Sequence, residues 1–175
     1  VGYTQANDQA NPLVIESTTN FGTITRIVVT NDGGTGALNI PANTDYPWLD
    51  ILLTVAGATA TLTGNITADQ LRISDDSGLA GTSVLSANSR TVTINGAVDL
   101  GAGAGIDGAL TFTTGAITAT GVFSILTTLG YVSWGSGSHT LSSTYTNSTT
   151  SASWDAGTGT VTFDSATGGT MTFAG

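Results

Sequence analysis

Cysteine is absent from this chain of 175 residues. That excludes disulfides, thiolate nucleophiles and zinc–cysteine sites, and leaves the redox compartment open. Lysine is absent too. The cations are Arg26, Arg72 and Arg90, against twelve carboxylates, for a formal charge of −9. Three arginines cannot neutralise a phosphate backbone or hold an anionic bilayer, so neither nucleic acid nor an acidic membrane surface is an expected partner. Charged residues make up only 9% of the chain, against the usual ~25% of soluble domains. The longest apolar-leaning run, residues 48–60, is too short and too rich in hydroxyls to insert in a bilayer. The first residue is Val rather than Met, as a removed secretion signal or an excised segment would leave it.

Threonine takes the place of the missing charge, at nearly one residue in five, with Gly, Ser and Ala beside it. Val, Ile, Leu and Phe recur at strand spacing, so this is not the composition of a disordered chain. Residues 90–101 (RTVTINGAVDLG) show the unit. Val92 and Ile94 alternate with Thr91 and Thr93, Asn95-Gly96 supplies a turn of the kind that tolerates positive φ, and Val98 and Leu100 resume the alternation. Taken alone it is a hairpin; beside its neighbours it reads as one corner of a coil.

Residues 1–12 are polar and aperiodic, which suits a flexible terminus or an arm that orders on a neighbouring subunit. Strands are expected over 13–17, 24–31 and 48–55, with loops at 31–34 and 43–47. Consecutive Ile27, Val28 and Val29 suggest burial on both faces. Residues 13–57 form a possible cap. From 58 to 175 short strands alternate with Gly, Asn-Gly or Ser-Gly breaks, and no apolar period of 3.6 residues reaches helical length. Apolar pairs recur at Ile51/Leu53, Leu71/Ile73, Val92/Ile94, Leu110/Phe112, Val132/Trp134 and Met171/Phe173. A looser series runs through Leu79, Val98, Ile117, Leu141 and Val161. These spacings predict an all-β fold, a parallel β-solenoid or β-helix with coils of ~20 residues stacked at ~4.8 Å; a β-sandwich is the alternative.

The stretches AGTGTVTF (156–163), DSATGGTMTF (164–173), TLTGNITADQLRI (61–73) and 91–100 resemble the Gly/Thr-rich repeats of bacterial extracellular surface proteins, such as autotransporter-like passengers and fibre proteins. The resemblance covers about the last two thirds of the chain. It implies a secreted β-helical stalk, adhesin or fibre, and carries over no catalytic residue.

No motif reads as a strong catalytic signature. GAGIDG (103–108) matches G-x-G-x-x-G, but the following ALTFTT is strand-like, whereas a dinucleotide site needs a helix there. Residues 102–109 approximate a calcium nonapeptide, with Ala102 in place of the first glycine and Asp107 as ligand, and Asp75-Asp76 is a second turn with oxygen ligands for a hard cation. Calcium is therefore the one cofactor the sequence offers, against a plainer reading of solvated turn aspartates. His139, the single histidine, sits among serines and glycines, as a surface-loop residue would; nothing places the carboxylate and oxyanion hole that a triad needs. Asp75 and Asp76 are adjacent and would point to opposite faces, so they do not make a glycosidase pair. Trp134 and Trp154, twenty residues apart, would stack as core or, if exposed, as a platform for surface glycans. T-x-T doublets at 59/61/63, 91/93, 111/113, 160/162 and 170/172 suggest an ice-binding array, although their spacing is uneven. Asn65 and Asn147 head glycosylation sequons.

The expectation is a structural protein rather than an enzyme: an extracellular fibre subunit that assembles with copies of itself. Unpaired strand edges at the solenoid ends template addition of another chain. The assembly contacts are placed at Val1, Gly2, Tyr3 and Thr4 in the arm and at Thr170, Met171, Thr172 and Phe173 in the last strand. An adhesin or carbohydrate-binding module is the alternative, and a virion or ice-binding structural protein the third reading.

Overall fold

A computed structural model describes residues 21–31, 38–53, 57–75, 82–101, 107–127, 130–147, 154–165 and 171–173. The predicted arm at residues 1–12, the strand at 13–17 and Leu79 lie outside them. Among the described residues there is no helix, and every strand pair is parallel; the strands stack into a β-solenoid of about 5 turns. At ~4.8 Å per coil that is a body roughly 24 Å tall.

The first sheet opens with β1 (Arg26–Asn31), to which β3 (Asn43–Leu53) and then β5 (Ile66–Asp75) are added. The short strand β2 (Leu38–Ile40) starts the second sheet, which continues through β4 (Thr59–Leu62), β6 (Ser83–Asn88), β9 (Gly108–Phe112), β12 (Tyr131–Ser133) and β15 (Trp154–Asp155). The long strand β5 is where the first sheet divides. Its first half is continued by β7 (Thr91–Ile94), β10 (Ala116–Ala119), β13 (Ser138–Leu141) and β16 (Thr160–Phe163). Its second half is continued by β8 (Val98–Leu100), β11 (Phe123–Ile125), β14 (Tyr145–Asn147) and β17 (Met171–Phe173). From the third coil on, three ladders enclose one hydrophobic interior.

Residues 90–101 are therefore a corner and not a hairpin. β7 lies beside Ile66–Ala68, and β8 beside Leu71–Ile73 of the same preceding strand. Positive φ is not what Asn95-Gly96 contributes: among the described non-glycine residues only Asn88 has it, at 51°. Gly96 is required by close approach. A Cβ there would meet the Asp69 carbonyl oxygen at 2.5 Å, and one on Gly121 in the next coil would meet the Gly96 backbone at 2.3 Å.

The inward residues stack in columns set by register. One column is Ile27, Leu49, Leu71, Val98, Phe123 and Tyr145; a second is Val29, Ile51, Ile73, Leu100, Ile125 and Asn147. Alternation buries the first set of side chains and turns the residues between them outward. Val28 is accordingly only half-buried between Ile27 and Val29, so β1 is not buried on both faces as the run IVV suggests. Residues 43–47, expected as a loop, begin β3 with a register irregularity between Asn43 and Tyr46.

The coils are somewhat longer than the expected ~20 residues. Stacked partners lie 22 residues apart where the corners are tight, as Val132 opposite Trp154, and 26 to 27 apart between β5 and the strands above it, as Ile66 opposite Val92 and Leu71 opposite Val98. The shorter apparent period arose from stepping between ladders: Val92/Ile94 belong to the first sheet and Leu110 to the second. In the looser series the partner of Ile117 is His139, and Leu141 instead follows Ala119.

Candidate functional site

Three features stand out once the ladders are aligned: an aromatic interior in the last coils, a hydroxyl array on one outer face, and a charged cluster on another.

The aromatic interior grows from Phe112, whose ring lies parallel to Trp134 at 6.5 Å between centroids. Trp134 in turn meets Phe123 at 5.7 Å and Trp154 at 4.9 Å, and Tyr145 contacts Phe123, Trp154 and Phe163. Trp134 has no exposed surface, and its indole Nε1 has no hydrogen-bond partner. It therefore presents no face to a glycan, and the sugar-platform reading fails for it; the ring fills the core. Trp154, Val161 and Phe163 pack against this core but are only partly covered. The first coil differs, since Ile27, Val29, Leu38 and Ile40 are all buried.

His139 belongs to the same interior. It is 1% exposed, inward on β13, and stacked opposite Val161. The loop reading is overturned by strand alternation: Ser138 and Thr140 point out, His139 and Leu141 in. Burial pushes its pKa below the ordinary value, partly offset by a hydrogen bond to the Trp134 carbonyl.

The hydroxyl array lies on the ladder β7–β10–β13–β16 and its base on β5. Register brings Thr67, Thr93, Thr118, Thr140 and Thr162 into one outward column, and Thr91, Ala116, Ser138 and Thr160 into a second. No charged side chain interrupts either column. Of the doublets expected from sequence, 91/93 and 160/162 lie here. Thr59, Thr61 and Thr111 belong to the second sheet, and Thr170 lies outside the described residues. Thr67, Thr118, Ser138 and Thr140 were not singled out by the doublet pattern; strand register is the signal that joins them.

The charged cluster is on the outer side of β1, β3 and β5. Asp50 alternates outward yet is fully covered. Its Oδ2 accepts from Arg26 Nη2 and, at 2.5 Å, from Arg72 Nη2, while Arg72 Nε donates to Oδ1 at 2.9 Å. Both guanidiniums lie over the Trp48 ring, 4.6 and 5.3 Å from its centroid. Two of the three cations in the chain thus clamp one carboxylate, an arrangement that holds coils together, while the buried Arg26 Nε has no hydrogen-bond partner.

The remaining sequence-predicted residues are spread over several elements where they are described. Asp75 closes β5, Asp76 lies outside the described residues, and Asp107 is buried just before β9, not solvated in a turn. Among the described residues no three of His, Cys, Asp and Glu gather as a metal-holding group. Asn147 is buried on the inward side of β14, which denies a glycosyltransferase its amide. Asn65 is exposed, and its Oδ1 accepts from the Thr91 backbone N–H at 2.9 Å. Val1, Gly2, Tyr3 and Thr4 lie outside the described residues. Met171, Thr172 and Phe173 form β17, in register with β14.

Compared with protein-family models, curated proteins and solved structures, the chain has no match, so the likeness of its Gly/Thr-rich stretches to bacterial surface proteins gains no support there.

Proposed function

We propose that the chain is a structural subunit of an extracellular fibre, in which the final coil of one copy receives the next copy by parallel strand addition. The observation that carries this reading is the half-covered end of the interior. Trp154, Val161 and Phe163 top the columns without being enclosed, and β15 and β16 each have one hydrogen-bonded neighbour among the described residues. Partly covered apolar surface on strands that each have one neighbour favours another strand layer. A head-to-tail contact of this kind is heterologous and propagates. The arm at Val1–Thr4 and the strand around Thr170–Phe173 are the segments we assign to it. The role is mechanical, with no catalytic step and no bound cofactor. Electron microscopy and sedimentation at rising concentration test the proposal. Filaments lost in Phe163→Glu would support it, and a strictly monomeric wild-type chain at all concentrations would overturn it.

A second reading is supported by the paired threonine columns. Their rungs repeat at ~4.8 Å, and neighbouring outward residues along a strand lie ~6.6 Å apart. A rigid, uncharged lattice of hydroxyls and methyls suits an ordered water surface such as ice. The uneven spacing along the sequence is no objection, because the extra residues lie in the corners and not in the ladder. Growth inhibition of ice crystals that disappears in Thr118→Tyr is the expected result, and a wild-type chain without effect on ice would remove this reading. The adhesin alternative, having lost Trp134, has no comparable observation.

A further inference from the structure

We propose that His139 is an acid-operated latch that holds the C-terminal coils closed when neutral and releases them when protonated. The imidazole occupies an interior position between Ile117 in the coil before it and Val161 in the coil after it. Both ring nitrogens are engaged by backbone. The Ile117 N–H donates to Nδ1 at 3.2 Å, and Nε2 lies 2.7 Å from the Trp134 carbonyl oxygen. A backbone N–H can only donate and a carbonyl can only accept, so the two partners select the neutral tautomer with its proton on Nε2. The ring also meets Phe112 and Trp134 edge-on, with centroids 4.9 and 4.8 Å away.

Protonation destroys this arrangement at one atom. A proton on Nδ1 faces the Ile117 N–H, so a hydrogen bond between coils becomes a contact between two donors. The new charge also has no partner. The elements packed around the ring, β9, β10 and β16, contain no Asp, Glu, Lys or Arg, and the nearby β12 and β14 contribute only Tyr131 and Tyr145. The nearest carboxylates in sequence, Asp155 and Asp164, are both exposed. Burial accordingly lowers the pKa.

The sign follows from linkage. Above the ordinary histidine pKa of ~6.5 folded and unfolded chains both carry neutral imidazole, and the full stability is present. As pH falls below that value the unfolded chain takes up the proton first, so stability declines until the depressed folded pKa is passed. The loss is concentrated in β13 and its neighbours, where the fibre proposal places the docking end. Acid would therefore dissolve the fibre, a consequence that rests on the proposed function; the latch itself does not.

Hydrogen exchange, corrected for intrinsic rates, and NMR titration of the single histidine test it from pH 8 to 5. The expected result is protection of β10, β13 and β16 amides that falls up to tenfold per pH unit below ~6.5, while β1 and β3 amides hold. The imidazole should stay neutral below its ordinary pKa. His139→Leu, which matches the aliphatic neighbours in its column, should make protection insensitive to pH over this range. A histidine that titrates normally with unchanged protection overturns the proposal, as does acid loss that persists in His139→Leu. Should the variant not fold, the wild-type titration and exchange decide alone. Fibres that dissolve in acid only when His139 is present extend the latch to assembly. A chain that forms no fibre at any pH defeats the proposed function, while the exchange data still judge the latch.

Discussion

The first and last coils of this solenoid solve one packing problem with different chemistry. The same column holds Ile27, Leu49, Leu71 and Val98 in the early coils and Phe123 and Tyr145 in the later ones. Another runs from Leu38 through Ala60, Leu85, Leu110 and Val132 to Trp154. Outside, the early coils carry the Arg26–Asp50–Arg72 clamp on Trp48, and the later ones carry bare hydroxyls. Aliphatic columns contain no polar atom that needs a partner. The aromatic coils accept an indole N–H without one and a histidine that must stay neutral. An unpaired buried donor costs about 1–3 kcal/mol, but Arg26 Nε in the first coil has no partner either, so what sets the later coils apart is the histidine and the partly covered Trp154, Val161 and Phe163.

The comparison can be broken at either half. Trp134→Ala should have the largest effect, about 3–5 kcal/mol for loss of a fully buried aromatic. Its mark would be loss of exchange protection in β12–β16 before β1–β5; uniform loss along the chain would show that the halves do not differ. Asp50→Ala should follow, at about 2–3 kcal/mol. That is below the ~3–5 kcal/mol of a wholly buried pair, because the guanidiniums left behind reach solvent. Urea unfolding should place this loss in β1, β3 and β5.

The two halves should also respond to acid in opposite directions. Burial raises the pKa of Asp99, with Arg72 and a hydrogen bond from Ser124 pulling it back. A raised folded pKa contributes stability that is full below ~3.9 and lost as pH rises through the folded value. Asp99→Asn should therefore remove an acid-side gain, whereas His139→Leu removes an acid-side loss; melting curves between pH 3 and 7 separate them. Smallest of all should be Thr118→Val. An exposed near-isosteric change lies within about 0.5 kcal/mol, so any large loss of function in it would come from the hydroxyl array and not from the fold.

Much of this was legible in the chain. Alternation located β7 and β8 and, through the doublets, the strands at 160–163 and 171–173, and Gly-rich breaks pointed to stacked coils and no helix. Asp50, Arg26, Arg72 and Trp48 share the outward parity of their strands, but parity alone does not say that 26, 48 and 70 are neighbours. His139 was hidden by its company: in SGSHT the preceding Ser and Gly favour a loop, and only pairing with β10 and β16 turns Ser138 and Thr140 out and the imidazole in.

Local pattern by itself determined that this protein is a ladder of short strands, because a period of two and the frequency of Gly are properties of neighbouring residues. Which residues stand above one another was decided only by the tertiary structure. Corners of unequal length shift the offset from 22 residues at Val132 and Trp154 to 27 at Leu71 and Val98, and hydrogen bonding between coils, not distance along the chain, sets the register. The threonine columns, the Asp50 clamp and the buried histidine are all products of that register.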